Sequence, residues 1–161
     1  NVPGRTSSNI SSQTTLKLAS SITNIVGVKE ASGDLEQIMN IILKKPANFL
    51  VISGDDALTL PHICVGGDGV ISVIANAFPK RFSTMVHTAL NNNLSLANEK
   101  HYELFEIIHY LFKDGNPAGI KHVLKLINIC SDNVRLPLVN ITEKTADKLY
   151  ELVASIDDTL V

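Results

Sequence analysis

The sequence predicts an α/β fold: the C-terminal part of a (β/α)8 barrel, about three strand-helix units, followed by a helical C-terminal extension. Three observations carry this. Short, nearly continuously apolar stretches alternate with amphipathic helical patterns through roughly the first 75 residues, the arrangement of parallel βαβ units. Beyond Pro79 only helical periodicity remains. Three parallel strands alone would leave two long apolar edges, so either more strands precede Asn1 or the edges pair with something else. Of the folds that alternate this way, an eight-stranded barrel typically needs about 250 residues, of which this chain would be the last part. The 161 residues open without an initiator Met in a loop-like segment, Asn1-Val2-Pro3-Gly4-Arg5-Thr6, as a cut inside a longer protein would. Residues 1–92 are expected to form the partial barrel and residues 93–161 the helical region.

Taken in order, residues 11–21 read as a helix, with Leu16 and Leu18 near its apolar face and Ser/Thr residues available to cap its start. Residues 25–31 form the first strand. Asp34 caps a helix to about Lys44, with Leu35, Ile38, Ile41 and Ile42 at helical spacing. Lysines at its C-terminal end suit the dipole, and Pro46 ends it. Phe49-Leu50-Val51-Ile52-Ser53 is the second strand. Gly54-Asp55-Asp56 opens the next helix, which runs to about Val65, and its two carboxylates favour free helical N–H groups and disfavour phosphate. Gly66-Gly67-Asp68-Gly69 turns into a third strand over residues 70–75. Strands this apolar predict helices on both faces of the sheet. Four helices follow, over roughly 80–91, 94–112, 117–127 and 142–155. Asn116 caps the third of them, with Pro117 at its first position after the Asp114-Gly115 stop.

Composition excludes several function classes. With 14 basic and 16 acidic residues, 5% aromatics and no Trp, the chain has neither the basic footprint nor the stacking platforms of a nucleic-acid binder. No apolar run is long enough for a membrane span. Cys64 and Cys130 read as buried free thiols in a reducing compartment, so the cytoplasm is the expected location. Met39 and Met85 read as core filler. His62, His87, His101, His109 and His122 form no H-E-x-x-H motif or Cys/His cluster, so no metal site is expected. The Gly66-Gly67-Asp68-Gly69 run lacks dinucleotide-binding spacing and precedes a strand, so turn geometry explains it.

The chemistry concentrates at Lys29, inside the strand Ile25-Val26-Gly27-Val28-Lys29-Glu30-Ala31. Buried lysine is rare because desolvating an ammonium is costly. A lysine in a strand either reaches water from the strand end or serves chemistry, because desolvation favours the free amine that attacks carbonyls. Alternation puts Ile25, Gly27, Lys29 and Ala31 on one face and Val26, Val28 and Glu30 on the other. Gly27 and Ala31 leave space beside the amine. Lys29 also lies near the C-terminal end of its strand, the end at which parallel α/β architectures build sites.

Gly27-Val28-Lys29-Glu30-Ala31-Ser32-Gly33-Asp34 resembles the lysine motif of the dihydrodipicolinate synthase family. That family belongs to the pyruvate Schiff-base aldolases and lyases, a superfamily that includes N-acetylneuraminate lyase. The resemblance extends through Asn1-Val2-Pro3-Gly4-Arg5-Thr6, Ser53-Gly54-Asp55-Asp56, Gly69-Val70-Ile71-Ser72-Val73 with Ala75-Asn76, Asn116-Pro117 with Lys121, and Arg135-Leu136-Pro137. These motifs occur in family order and cover essentially the whole chain.

The resemblance implies that Lys29 forms an imine with pyruvate, whose enamine attacks L-aspartate 4-semialdehyde in lysine and diaminopimelate biosynthesis. It implies that Arg5 holds the semialdehyde carboxylate, that the main chain of Ile71 contacts pyruvate, and that Gly54 borders the second-substrate region. No external cofactor is implied, because the lysine supplies the covalent chemistry, and the complete enzyme is expected to be a homotetramer. Family members also use a tyrosine just before the position of Asn1, and a threonine pair and second tyrosine earlier still. Tyr102, Tyr110 and Tyr150 all lie in the helical part and do not replace them. The chain alone is therefore expected to carry the nucleophile but lack the proton relay. Two other readings stand beside this one: a sister aldolase with another acceptor, and a non-catalytic module whose unpaired strand edges recruit a partner.

Overall fold

The structure, a computed structural model, describes residues 1–156. Its elements run α1 (Pro3–Thr6), α2 (Ser12–Ser21), β1 (Gly27–Glu30), α3 (Leu35–Lys44), β2 (Leu50–Ser53), α4 (Thr59–Cys64) and β3 (Gly69–Val70). A 3-10 turn (Ile74–Asn76) and helices α5 (Pro79–Leu90), α6 (Leu94–Leu111), α7 (Ala118–Leu126) and α8 (Glu143–Ile156) follow. They divide into two units. The first comprises Asn1–Ser72 with Val86–Leu94, and the second comprises Val73–Met85 with the chain from Ser95.

In the first unit β1, β2 and β3 form a parallel sheet in sequence order. Gly27 pairs with Leu50, Lys29 with Ile52, and Ile52 with Gly69. One face of the sheet meets helices. Ile38 and Ile41 of α3 pack with Phe49 and Val51, joined by Val28, Ala19, Ile25 and Val65. The helix α3 forms where its periodicity places it, because the Asp34 side chain accepts from the Gln37 N–H and closes the first turn. Ser11 caps α2 in the same way through Thr14 N–H. Ile41 is fully buried at the centre of this cluster. Ile41→Ala is expected to cost about 2–5 kcal/mol, read as a lower midpoint in chemical denaturation.

The other face of the sheet carries exposed apolar residues, where strand hydrophobicity led to the expectation of helices on both faces. Leu50 remains 45% exposed and Ile71 56%. The third strand is also shorter than expected. After Ile71 N–H donates to Ser53 O at 2.9 Å, the backbone leaves the ladder and reaches the turn at Ile74–Asn76. Apolar run length alone does not register such a departure.

Asp68 shows what the glycine-rich loop before β3 does. Its carboxylate accepts from Val51 N–H at 2.8 Å and faces the Lys45 ammonium at 3.5 Å, while its own N–H donates to Val51 O. His62 Nε2 also meets Val51 O, at 3.0 Å, and its ring lies against Gly67, where any Cβ would overlap it. Turn geometry and close packing explain this loop.

In the second unit, α7 packs on α8 and on the 3-10 turn. Met85, Leu104, Leu111, Val123 and Leu149 are buried. Asp114 fixes the start of α8. Thr142 N–H and Oγ1 both donate to its carboxylate, at 2.9 and 2.7 Å, and Thr142 N–H first among them holds its carboxyl below the usual range.

Several local expectations need correction. The opening segment, read as a loop, contains the one-turn helix α1. Helix α4 starts at Thr59, because Asp55 Oδ1 accepts from Leu58 N–H and Asp55 O from Thr59 Oγ1, shaping a turn ahead of the helix. Pro117, not Asn116, occupies the cap position of α7, with no side-chain cap bond. Leu18 is exposed on α2, and Thr15 is the residue that α2 buries. Cys64 and Cys130 are free but exposed, and Met39 is exposed, whereas Met85 is fully buried.

Candidate active site

The site grows from the C-terminal ends of β1 and β2. Lys29 and Ile52 are register partners, and the ladder continues past both strands with Gly54 N–H donating to Glu30 O at 2.8 Å. Alternation then places Lys29, Ala31, Ile52 and Gly54 on one face, with Glu30, Val51 and Ser53 on the helix-packed face. The Lys29 side chain is half-buried. Its stem lies across Gly54, so a Cβ there would stand 2.7 Å from Lys29 Cε and 2.7 Å from Ala31 Cβ. Gly54 is thus the surface on which the lysine rests. Among the described residues, no hydrogen bond or ion pair holds the amine.

Ile71 follows β3 on the same face, and its N–H already donates to Ser53 O. That bond commits the Ile71 N–H to the last rung of the ladder. Arg5 sits on α1 and is exposed. The segment carrying it is fastened to β1 on the edge away from β2. Asn1 N donates to Lys29 O and Ala31 N–H donates to Asn1 O, both at 2.9 Å, which is a parallel-strand pairing. Lys29, Arg5, Gly54 and Ile71 thus belong to one unit, which carries three of them on or beside adjacent strand ends. Asn116, Lys121 and Arg135 belong to the second unit.

Sequence reasoning missed the polar cluster behind Lys29. Glu30 is 1% exposed, and its carboxylate accepts from Ser32 N–H, Asn1 Nδ2 and Gln37 Nε2. The signal was present: alternation set Glu30 beside Val28 on the helix-covered face, where a carboxylate requires donors.

The histidines are separate from these residues in chemistry. His62 is a buried structural group, and burial pushes the His101 imidazole down from its usual range. Among the described residues, no group of three or more His, Cys, Asp or Glu could hold a metal ion. No helix there is long and apolar enough to cross a membrane. A small cavity of about 140 Å³ beside His122 and Asp132 includes none of the four site residues named above.

Comparison with known proteins matches residues 1–156 to the dihydrodipicolinate synthetase family. A 4-hydroxy-tetrahydrodipicolinate synthase of Flavobacterium psychrophilum is 48% identical over 149 residues, covering 92% of this chain and 51% of that protein. One from Phocaeicola vulgatus is 48% identical over 153 residues, covering 95% and 52%. The crystal structure of dihydrodipicolinate synthase from Thermotoga maritima superposes with a TM-score of 0.95 at 35% identity, covering all of this chain and 55% of that one. The chain spans about half the length of the relatives it matches.

Proposed function

Because this chain belongs to the dihydrodipicolinate synthetase family, we propose that it carries the imine-forming half of a 4-hydroxy-tetrahydrodipicolinate synthase site. In this reading β1, β2 and β3 are consecutive strands of a (β/α)8 barrel, and the face bearing Lys29 and Ile71 faces the barrel interior. The observation that supports it most is the placement of Lys29. Its stem is laid over Gly54 at the C-terminal ends of parallel strands, with an amine that no neighbour among the described residues engages.

The Lys29 amine adds to the ketone carbon of pyruvate, and loss of water leaves an iminium. The iminium is an electron sink, so a methyl proton leaves and the electron pair becomes an enamine. The enamine carbon attacks the aldehyde carbon of L-aspartate 4-semialdehyde, and the aldehyde oxygen takes up a proton. The semialdehyde's own amine then displaces Lys29 at the imine carbon, closing the ring and regenerating the free lysine. Arg5 is suited to the semialdehyde carboxylate, because a planar guanidinium offers paired donors. The Ile71 carbonyl accepts a hydrogen bond from the adduct. No external cofactor enters these steps, and the complete enzyme is read as a cytoplasmic homotetramer.

Proton transfers need a group of suitable pKa near the adduct. Tyr102, Tyr110 and Tyr150 all belong to the second unit, on α6 and α8. None of the three stands in a motif that the family resemblance links to proton transfer, so we expect imine formation by the chain alone with little complete turnover. Incubation with pyruvate and borohydride, followed by intact-mass measurement, is expected to add one pyruvate less one water plus two hydrogens. Peptide mapping should place it on Lys29. An unmodified chain, or modification spread over surface lysines, would remove this reading. Turnover near that of a complete enzyme would refute the missing-relay expectation.

A further inference from the structure

We propose that Glu30 and Gln37 are positioning residues that hold the Arg5-bearing turn against the Lys29 end of β1. The functional weight of this inference rests on the roles proposed above for Lys29 and Arg5. Its structural basis is the hydrogen-bond network behind the lysine. Residues 2–8 leave and return to one place, and both ends of that excursion converge on the Glu30–Gln37 pair.

At the near end, Asn1 Nδ2 donates to both Glu30 oxygens at 3.0 Å. At the far end, Gln37 Nε2 donates to Ile10 O and Asn9 Oδ1, each at 3.3 Å, and Asn9 Nδ2 donates to Gln37 Oε1 at 2.9 Å. The ends are also tied to each other, by Ile10 N–H to Asn1 Oδ1 at 3.0 Å and Asn1 Nδ2 to Asn9 Oδ1 at 2.7 Å. Gln37 Nε2 to Glu30 Oε2, at 3.2 Å, links the two groups. Ser32 N–H to Glu30 Oε1, at 2.8 Å, adds the loop that follows β1.

The carboxylate gives this network its direction. Ionised, it only accepts, so Asn1 and Gln37 must both present their NH2 groups to it. Asn1 Oδ1 is thereby left to take Ile10 N–H, and Gln37 Oε1 to take Asn9 Nδ2. Asn9 Oδ1 is then free to accept from Asn1. One acceptor-only group thus fixes the orientation of three amides, and through them the turn carrying Arg5. An amide in place of Glu30 would set a donor against donors inside a buried cluster, where an unmade bond is costly. Glu30 and Lys29 are adjacent, so the same strand residues aim the amine on one face and anchor the arginine turn on the other.

The test uses Glu30→Gln, Gln37→Leu and Asn9→Ala in the full chain. Asn9 is exposed and lies outside β1 and α3, so Asn9→Ala reads the clamp even if a buried replacement does not fold. Amide exchange over residues 5–10 is expected to accelerate at least about tenfold relative to the strand amides of β1 and β2. Half-maximal borohydride trapping should need the same pyruvate concentration within about twofold, while the L-aspartate 4-semialdehyde concentration that half-saturates binding to the pyruvate-trapped chain, read by calorimetry, rises at least about fivefold. A purely structural role would move both concentrations together. Unchanged exchange over residues 5–10 in Asn9→Ala and Gln37→Leu, or a joint rise in both concentrations, would overturn the proposal. Failure of the parent chain to trap pyruvate would refute the imine reading instead, and the exchange comparison would still decide whether the clamp exists.

Discussion

Lys29→Met is expected to abolish the borohydride-trapped pyruvate adduct while leaving the chain folded. Methionine has nearly the length of the lysine stem and can still lie across Gly54, so the contacts that place the side chain are largely retained. What disappears is the nitrogen proposed to attack the ketone, and among the described residues this face carries no other amine. The amine has no hydrogen-bond or ion-pair partner among the described residues, so its removal leaves no buried group unsatisfied. The change in unfolding free energy is therefore expected within about 1 kcal/mol, against complete loss of trapping. Intact mass after pyruvate and borohydride, together with a denaturation curve, reads both quantities on one sample. A variant that still gains the adduct would move the nucleophile to another lysine. One that loses both the adduct and its folding transition would show that Lys29 holds the strand rather than serving the site.

The sequence made the local parts of this structure legible. Asp34 and Ser11 each cap the helix that follows them, because a cap is a bond between a side chain and a backbone N–H three residues on. The position of Lys29 near the end of a parallel strand also follows from hydrophobic patterning. What stayed hidden depends on distant partners. Glu30 reads in sequence as a charge beside a catalytic candidate, yet its donors come from Asn1, 29 residues before it, and Gln37, seven residues after it. The extent of β3 depends on where β2 stops offering partners, since Ile71 makes the last rung with Ser53. Cys64 and Met39 lie in helices with apolar neighbours, but which side of a helix meets the sheet is decided by packing. Residue type suggested burial for both, and geometry left them outside. Strand hydrophobicity misled for a related reason: Leu50 and Ile71 are as apolar as Val51, but the helix-packed cluster takes in Val51 and leaves Leu50 and Ile71 exposed.

Gly54→Ala is expected to cut pyruvate trapping by at least about tenfold, an effect out of proportion to one methyl group, because that methyl has no free space. The added carbon would stand 2.7 Å from Lys29 Cε, 3.1 Å from Lys29 Cγ and 2.7 Å from Ala31 Cβ. The lysine stem could swing away at modest cost, but in doing so it would carry the amine off the strand ends where Ile71 lies. Ala31 Cβ has no rotamer through which to retreat, so relief on that side requires β1 and β2 to separate. Their continued ladder, Gly54 N–H to Glu30 O at 2.8 Å, opposes that movement. Displacement of the amine and loosening of the ladder leave different signatures. Displacement alone lowers trapping with the denaturation midpoint nearly intact, whereas loosening also speeds amide exchange in β1 and β2. Replacing Ala31 with glycine in the Gly54→Ala background removes the rigid neighbour and leaves only the lysine contact. The double variant should therefore recover exchange protection without recovering trapping. If it recovers both, the Ala31 contact is the cause of the defect and Gly54 does not serve as the rest for the lysine. If Gly54→Ala traps pyruvate as the parent does, the side chain reaches its reactive position by a route that avoids Gly54.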